Sequence, residues 1–551
     1  MTARGAGTHP SIQADLVVVG GGLGGVAAAL TAGRLGHRTV LVSETDWLGG
    51  QVSSQAIPPD EHPWIETVGC TRTYRDFRNR VRAFYRRNYP LVARARQDAR
   101  LNPGLGNIGP LSHEPHVAAA VLEEMLAPFV SRGVLHVLRG YEVASAHAEG
   151  DSVTAVVVRG PDGRHVELAA AYFLDATDLG DLVDAAGVEH VFGAESADDT
   201  GEPHAVSGPA DPADQQPVTW AAILSIEPGT VNTIGRPAGY EHWRSHRPPN
   251  WPGPLLSWTV SDHVTLRDRE RPLLLATPGD GVPYDLWHAR RVLAASQLDG
   301  DWRDVTVAAW PMMDYTSAPL LGVGETRRQA ALAGARELSL SFVHWMQTEA
   351  PRHDGGTGYP ELRLRPDLAG TETGLAKRPY VRESRRIRAE FTLTERHIGV
   401  EARAGLHGAE EFADSVGIVA YRIDIHPSTS GRPAIDVDTW PFQLPLGAFV
   451  PVRVQNVLPA AKNIGGTHVS SGAYRVHPGE WTVGEAAAAL AVYCLAERVA
   501  PAKVYGDERR VADLQRLLST TVGVELAWPR YEALTPTHRF GYVETGRTDG
   551  A

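Results

Sequence analysis

The segment Asp15-Leu-Val-Val-Val-Gly20, continued by Gly21, Gly22, Gly24 and Gly25 and then by an alanine-rich stretch, restricts the fold more than any other. An unbroken apolar run rich in valine suits a strand buried on both faces, the mark of a parallel sheet. The glycines allow a turn too tight for side chains, and residues 26–35 have helical composition with Gly36 to end the helix. Thr39–Ser43 is the next strand. Strand, helix and strand in this order form a right-handed crossover that sets the two strands side by side and parallel. The run from residue 16 to residue 33 carries no charge and is long enough to imitate a membrane span. Its β-branched start, glycine-rich middle and alanine-rich end divide it into three elements instead.

A chain of 551 residues exceeds one compact core, so two to four units are expected, interleaved or consecutive. Hydrophobic residues make up 43% and charged residues 21%, the balance of an ordinary globular protein. The net charge of −12 repels phosphate backbones and anionic lipid surfaces, so neither nucleic acid nor membrane is an expected partner. Cys70 and Cys494 are too few for a disulfide framework or a thiolate metal cluster. With a polar start lacking an apolar signal region, this points to the cytoplasm. A homodimer is the default oligomer.

A helix over residues 116–131 leads to strands at 134–138, 142–148, 152–159 and 165–170. The last three, joined by turns such as Pro161-Asp162-Gly163, predict an antiparallel meander lying on the sheet, and residues 172–176 return to the parallel layer. Residues 194–217 are rich in Asp, Pro and Gly without periodicity and read as a crossing between domains. A tryptophan-rich mixed region runs to about residue 445. The apolar stretch 449–458, Gly465-Gly466 and an alanine-rich helix at 483–496 then resume the style of the N-terminal part. The expected division is 1–58, 113–195 and 446–500 for a discontinuous nucleotide-binding domain, 59–112 for a covering segment, 196–445 for a substrate or cap domain, and 501–551 for a terminal helix and tail.

Gly20-x-Gly22-x-x-Gly25 closes a strand and opens a helix, the setting in which this spacing binds a dinucleotide. Gly20 permits the turn, Gly22 the approach of a pyrophosphate, and Gly25 the packing of helix on strand. Leu23 and Gly24 lie at the helix start, whose backbone N–H groups form an anion site. Glu44, with Thr45 beside it, stands at the end of the second strand, where a carboxylate accepts ribose hydroxyls and disfavours a 2′-phosphate.

Trp47-Leu-Gly49-Gly50, followed by Gln51, resembles the glycine pair beside the flavin pyrophosphate in glutathione-reductase-like flavoproteins. Phe173-Leu-Asp-Ala-Thr-Asp-Leu-Gly-Asp181 resembles their Ala-Thr-Gly strand end, with Asp178 in place of the glycine. Arg382-Glu-Ser-Arg-Arg386, Ile423-Asp-Ile-His426 and the run from Leu458 through Thr467-His468 and Arg475-Val-His-Pro478 resemble a family of bacterial FAD-dependent oxidoreductases. The resemblance implies an α/β fold: a Rossmann-type FAD-binding domain with a parallel sheet and antiparallel meander, and a mixed α+β substrate domain inserted in sequence. It implies FAD as cofactor, lined by Val143, Ala176, Thr177, Asp181, Arg386, Lys462, Asn463, Thr467, His468, Gly479, Trp481, Thr482 and Val483. Lys462 departs from the family's arginine.

A flavin oxidising a C–H bond needs the carbon over its N5, with a base nearby if a proton must also leave. His426, His468 and Tyr315 are the candidate bases. Each has a plainer alternative, as a flavin hydrogen-bond partner or a satisfied core residue. Arg382 and Arg385 are candidate clamps for a substrate carboxylate or carbonyl, and an ion pair with Glu383 or Glu390 is the alternative. The cluster Asp60, Glu61, His62, Glu66, Arg72 and Tyr74 reads as a solvated charged loop, and no metal site is expected there or elsewhere. No second GxGxxG follows a strand, so electrons from a small-molecule substrate are expected to pass to O2 or another acceptor. A monooxygenase, or a flavin-binding sensor without turnover, remains as an alternative.

Overall fold

The computed structural model describes residues 10–275 and 285–537; the start of the chain and the expected polar tail lie outside these residues. Leu16–Val19 is the central strand of a five-stranded parallel sheet in the order Val457–Pro459, Tyr172–Asp175, Leu16–Val19, Thr39–Ser43, Leu135–Arg139. All its pairings are parallel. Four stretches far apart in sequence thus share one sheet. Alternation along the central strand sorts its two faces. Leu16 and Val18 pack with the helices Leu23–Arg34, Pro115–Ser131 and His477–Glu497. Val17 and Val19 pack with the meander. That second layer has the order Ser11–Gln13, His165–Ala169, Ser152–Arg159, Glu142–Glu149, and its first strand pairs parallel, which the sequence did not suggest.

A separate core lies under a sheet of Arg291–Leu293, Val305–Ala308, Ala222–Ile226 and Leu362–Leu364, packed against the 24-residue helix Glu325–Thr348. A smaller sheet of Asp314–Tyr315, Val218–Thr219 and Tyr380–Val381 runs between this core and the rest.

Two expectations change. The alanine-rich helix begins at His477, six residues before residue 483, because Pro478 fits the first helical turn, where its missing N–H costs no bond. Most of the charged segment around residues 60–74 is buried instead of solvated, with Arg72 the exposed member of the cluster. Arg78, on the helix Arg72–Asn88, donates to Glu61 at 2.8 Å and to Glu66 at 2.7 Å, and Arg82 also donates to Glu66. The side chains of Arg78 and Glu61 are 0% exposed, so each ion is compensated by its partner and not by water.

The first and last helices of the nucleotide layer touch through glycine. A Cβ on Gly484 would lie 2.0 Å from the Gly24 carbonyl oxygen, and one on Gly24 would lie 1.9 Å from that of Ala460. No side chain fits there. Gly484→Leu is expected to destabilise the fold by about 3 kcal/mol or more through overpacking, read as a lowered urea midpoint.

Candidate functional site

The glycine turn sits where the central strand ends. Gly20 has φ +112°, and a Cβ there would fall 2.1 Å from the Ala176 carbonyl carbon. Gly25 packs as closely, 1.8 Å from the Gly20 oxygen. Gly22 is different: a Cβ would meet only Glu480 Oε1 at 3.1 Å and the Ala176 oxygen at 3.8 Å. The space above it is therefore less crowded than at Gly20 or Gly25, as the approach of a pyrophosphate requires. The loop with Gly49 and Gly50 closes over the turn, since Gly49 N–H donates to the Gly21 oxygen at 2.7 Å. Gly49 and Gly50 both have positive φ, so this loop depends on glycine.

A cavity of about 340 Å³ continues from the turn, bounded by Gly20, Glu44, Val143, Thr177, Arg328 and Arg378. A smaller recess joins it beside Gly22, Thr45, Gly50 and Ala176. The cavity lining mixes charged side chains such as Glu44, Asp181, Arg328 and Arg378 with apolar ones such as Val143 and Leu332, a surface that suits an adenosine with its phosphates. Glu44 is paired with Arg378 at 2.6 Å. Burial pushes the Glu44 carboxyl up to about 7, although Arg378 opposes this. The far wall comes from the 24-residue helix: Arg328 lies 3.3 Å from Asp181 and 2.5 Å from Glu325. Sequence reasoning missed Arg328 and Arg378, because only the fold brings residues 328 and 378 beside residue 44. Asp175 fixes the turn on this side, its carboxylate accepting from Thr177 N–H at 2.8 Å, Thr177 Oγ1 at 2.7 Å and Val183 N–H at 2.7 Å.

The two departures from the family pattern are partners. Lys462 Nζ donates to Asp178 Oδ1 at 2.7 Å, and Gln55 donates to the other Asp178 oxygen at 2.7 Å. Burial disfavours the Lys462 charge, but Asp178 and Glu480 outweigh it and hold the ammonium ionised. Glu480 reaches the glycine turn, where Gly24 N–H donates to it at 3.2 Å, and it also accepts from Gln51. Within the stretch 479–483, Glu480 is the residue that touches the turn. Trp481 is buried in the core and donates to Thr73, Thr482 bonds the Pro478 oxygen, and Val483 is core. A Cβ on Gly479 would meet the Tyr474 oxygen at 2.4 Å.

A polar wall lies beyond Gln51, which donates to the Arg475 carbonyl at 3.0 Å. Arg475 donates to Tyr380 OH at 2.7 Å and to Asp424 Oδ2 at 3.1 Å. The Arg382 guanidinium stacks 4.9 Å above the Tyr380 ring and pairs with Asp314 at 3.2 Å. His426 Nδ1 lies 2.5 Å from Asp314 Oδ2, and its Nε2 lies 3.6 Å from Asp424. Burial opposes ionisation of Asp314, but Arg382 and His426 hold its carboxyl below the usual range. His426 and Arg382 are thus brought together, through an aspartate the sequence did not single out.

The other candidates lie elsewhere. His468 Nδ1 is 3.0 Å from Glu383, and Arg386 pairs with Glu383 at 2.8 Å and Glu195 at 2.7 Å. Thr467 caps the helix His468–Tyr474 and donates to Glu202 at 2.7 Å. These residues form a buried network apart from the cavity. Arg385 pins the turn after Tyr172–Asp175, donating to the Leu179 oxygen at 2.8 Å and to Asp184 at 3.1 Å. Asn463 ties the returning chain to that strand by donating to the Asp175 oxygen at 2.9 Å. Tyr315 packs against Trp243 and Gly334 in the second core.

The residues present fit FAD. Besides the open face of Gly22, Gln51 Oε1 and Gln55 Oε1 are buried without a hydrogen-bond partner, which leaves acceptors for a polar ring system. The model of a protein family described as FAD dependent oxidoreductase matches residues 15–518. The chain belongs to that family. This FAD-dependent oxidoreductase takes FAD as its cofactor. No curated protein matches it. Among solved structures it is similar to E. coli quinol fumarate reductase FrdA, at 12% identity over 97% of this chain and 74% of that one, with a TM-score of 0.30. It is also similar to glycerol-3-phosphate dehydrogenase from Bacillus halodurans complexed with FAD, at 16% identity over 41% and 44% of the two chains, with a TM-score of 0.23. L-proline dehydrogenase from P. horikoshii is similar at 14% identity and a TM-score of 0.18, over 34% of this chain and 25% of that one. The match thus spans about a quarter of that dehydrogenase. Among the described residues no helix is long and apolar enough to cross a membrane.

The helix His477–Glu497 of this oxidoreductase is anchored from behind by Glu485, which accepts from Thr73. Burial pushes its carboxyl up to about 7, against that bond. Because this value lies above the ordinary 4.5, the stability owed to the neutral carboxyl is complete below about pH 4.5 and is lost as pH rises through about 7. The Glu485→Gln variant is expected to lose this dependence. Its urea midpoint should fall less between about pH 5 and about pH 7.5 than the parent's, and an equal fall would count against the assignment.

Proposed function

We propose that this chain is a two-domain flavoenzyme of the glutathione-reductase-like kind, working in a bacterial cytoplasm. In this reading it oxidises a small organic metabolite by two electrons and passes them to O2 or another acceptor. The observation that carries it is the open face of Gly22, continuous with the cavity at Glu44 and backed by Gln51 and Lys462. When bound, FAD supplies hydride acceptance or donation. The chain's residues do the rest. Glu44 holds ribose hydroxyls, the Leu23 N–H at the helix start holds phosphate, and Lys462 places a positive charge beside the cofactor. The wall of Tyr380, Arg382, His426, Asp424 and Arg475 faces the substrate and offers it both charge signs. Arg385, Arg386 and His468 act by keeping the elements in place.

The test is spectroscopic. The purified protein is expected to be yellow and to release FAD on acid precipitation. Anaerobic mixing with a panel of hydroxy and amino metabolites should bleach the flavin with the true substrate class. Incorporation of labelled dioxygen into product would instead indicate a monooxygenase. Gly22→Val should fold with only a modestly lowered melting temperature, because its Cβ meets a side-chain oxygen of Glu480 at 3.1 Å and no backbone atom closer than 3.8 Å. It should also bind FAD at least about tenfold more weakly, or roughly 1.4 kcal/mol, through loss of the phosphate seat. FAD affinity equal to the parent's, measured by fluorescence quenching, would overturn the placement of the cofactor.

A further inference from the structure

We propose that His263, Asp424 and His426 form a binding site for one divalent first-row transition-metal cation. Asp424 and His426 stand two positions apart at the end of the strand Ile423–Ile425, so their side chains leave the same face. His263 comes from the turn joining Thr259–Ser261 to Asp268–Glu270, on the other side of the crevice. One ligand atom from each lies within 4.8 Å of the other two. His263 Nδ1 is 3.7 Å from Asp424 Oδ1, and His426 Nε2 is 3.6 Å from Asp424 Oδ2. A bound ion with bonds of about 2.1 Å brings such atoms to roughly 3 to 3.5 Å of one another, which small side-chain rotations supply.

Three observations support a ligand there. The outer atoms are already held: Asp314 sits 2.5 Å behind His426 Nδ1, which orients the ring and leaves Nε2 for an ion. Arg475 donates to Asp424 Oδ2 at 3.1 Å and fixes that carboxylate, whose Oδ1 faces His263. Asp436 stands directly across the strand pair from Asp424, a like-charged arrangement that costs stability unless a cation is near. Arg422 answers Asp436 but also pairs with Asp438. Two imidazoles and one carboxylate suit zinc, iron(II) or cobalt(II) better than calcium or magnesium. Three protein ligands leave a position open to an oxygen of a small molecule.

The inference stands on these side chains and not on the flavin reading, and its test keeps the two apart. Untagged full-length protein, stripped with chelator, is dialysed to equilibrium against micromolar Zn2+ and its metal content is measured. One zinc per chain is expected, while the visible spectrum of the same sample reports FAD independently. His263→Ala lies outside the cradle and should keep FAD yet lose zinc affinity at least tenfold. Asp314→Asn should weaken zinc about 10- to 100-fold, as loss of an outer partner does. Zinc well below one per chain in protein that retains FAD, or equal zinc in His263→Ala, would overturn the site.

Discussion

The contact between Gly24 and Gly484 is the constraint on which the rest of this structure depends. Two helices from opposite ends of the chain approach until a Cβ on one would strike the backbone of the other. Dispersion and apolar burial reward that closeness, since both helices are lined by alanine and valine and nearly every residue between them is buried. The approach carries Glu480 to the Gly24 N–H and sets Lys462 beside Asp178, so the late return of the chain completes a site that the first turn only begins. A bulkier residue at either glycine would push the last helix off the turn and open the cradle.

Buried charge is the second theme. In three places ionised side chains are removed from water and balanced by each other: Arg78 with Glu61 and Glu66, Arg386 with Glu195 and Glu383, and Arg382 with Asp314. Such networks add little net stability but lose much when one member is removed, so they fix geometry more than they add to it. The first holds the covering helix, the second braces the Thr467–His468 turn, and the third shapes the polar wall. The wall alone leaves donors and acceptors of both signs beside the cradle, which is why chemistry is assigned to it and not to the others.

Much of the fold was legible because it is local. The strand Thr39–Ser43, the strand Ser152–Arg159 and the helix ending at Ser131 follow from apolar periodicity and from the turns between them. The glycine turn with Glu44 was legible because a pyrophosphate and a ribose demand particular residues at particular spacing. The substrate side was less so. His426 and Arg382 stood out by resemblance, but Asp314, Asp424 and His263, which give them their surroundings, have no spacing rule linking residues 263, 314, 382 and 426. Likewise Tyr315, Arg385 and His468 carry suitable chemistry in sequence, yet the structure gives each its nearest partners away from the polar wall.

The sequence by itself determined that a parallel sheet, a tight glycine turn and a late return to the same sheet exist, because each depends on contiguous residues and on backbone freedom that only glycine has. Tertiary structure alone decided that Asp178 is answered by Lys462, that Arg328 and Arg378 wall the cavity beside Glu44, and that histidines 263 and 426 meet across Asp424. Those pairings hold side chains tens to hundreds of residues apart. Coulombic and hydrogen-bond energies act over a few ångströms of space and take no account of distance along the chain.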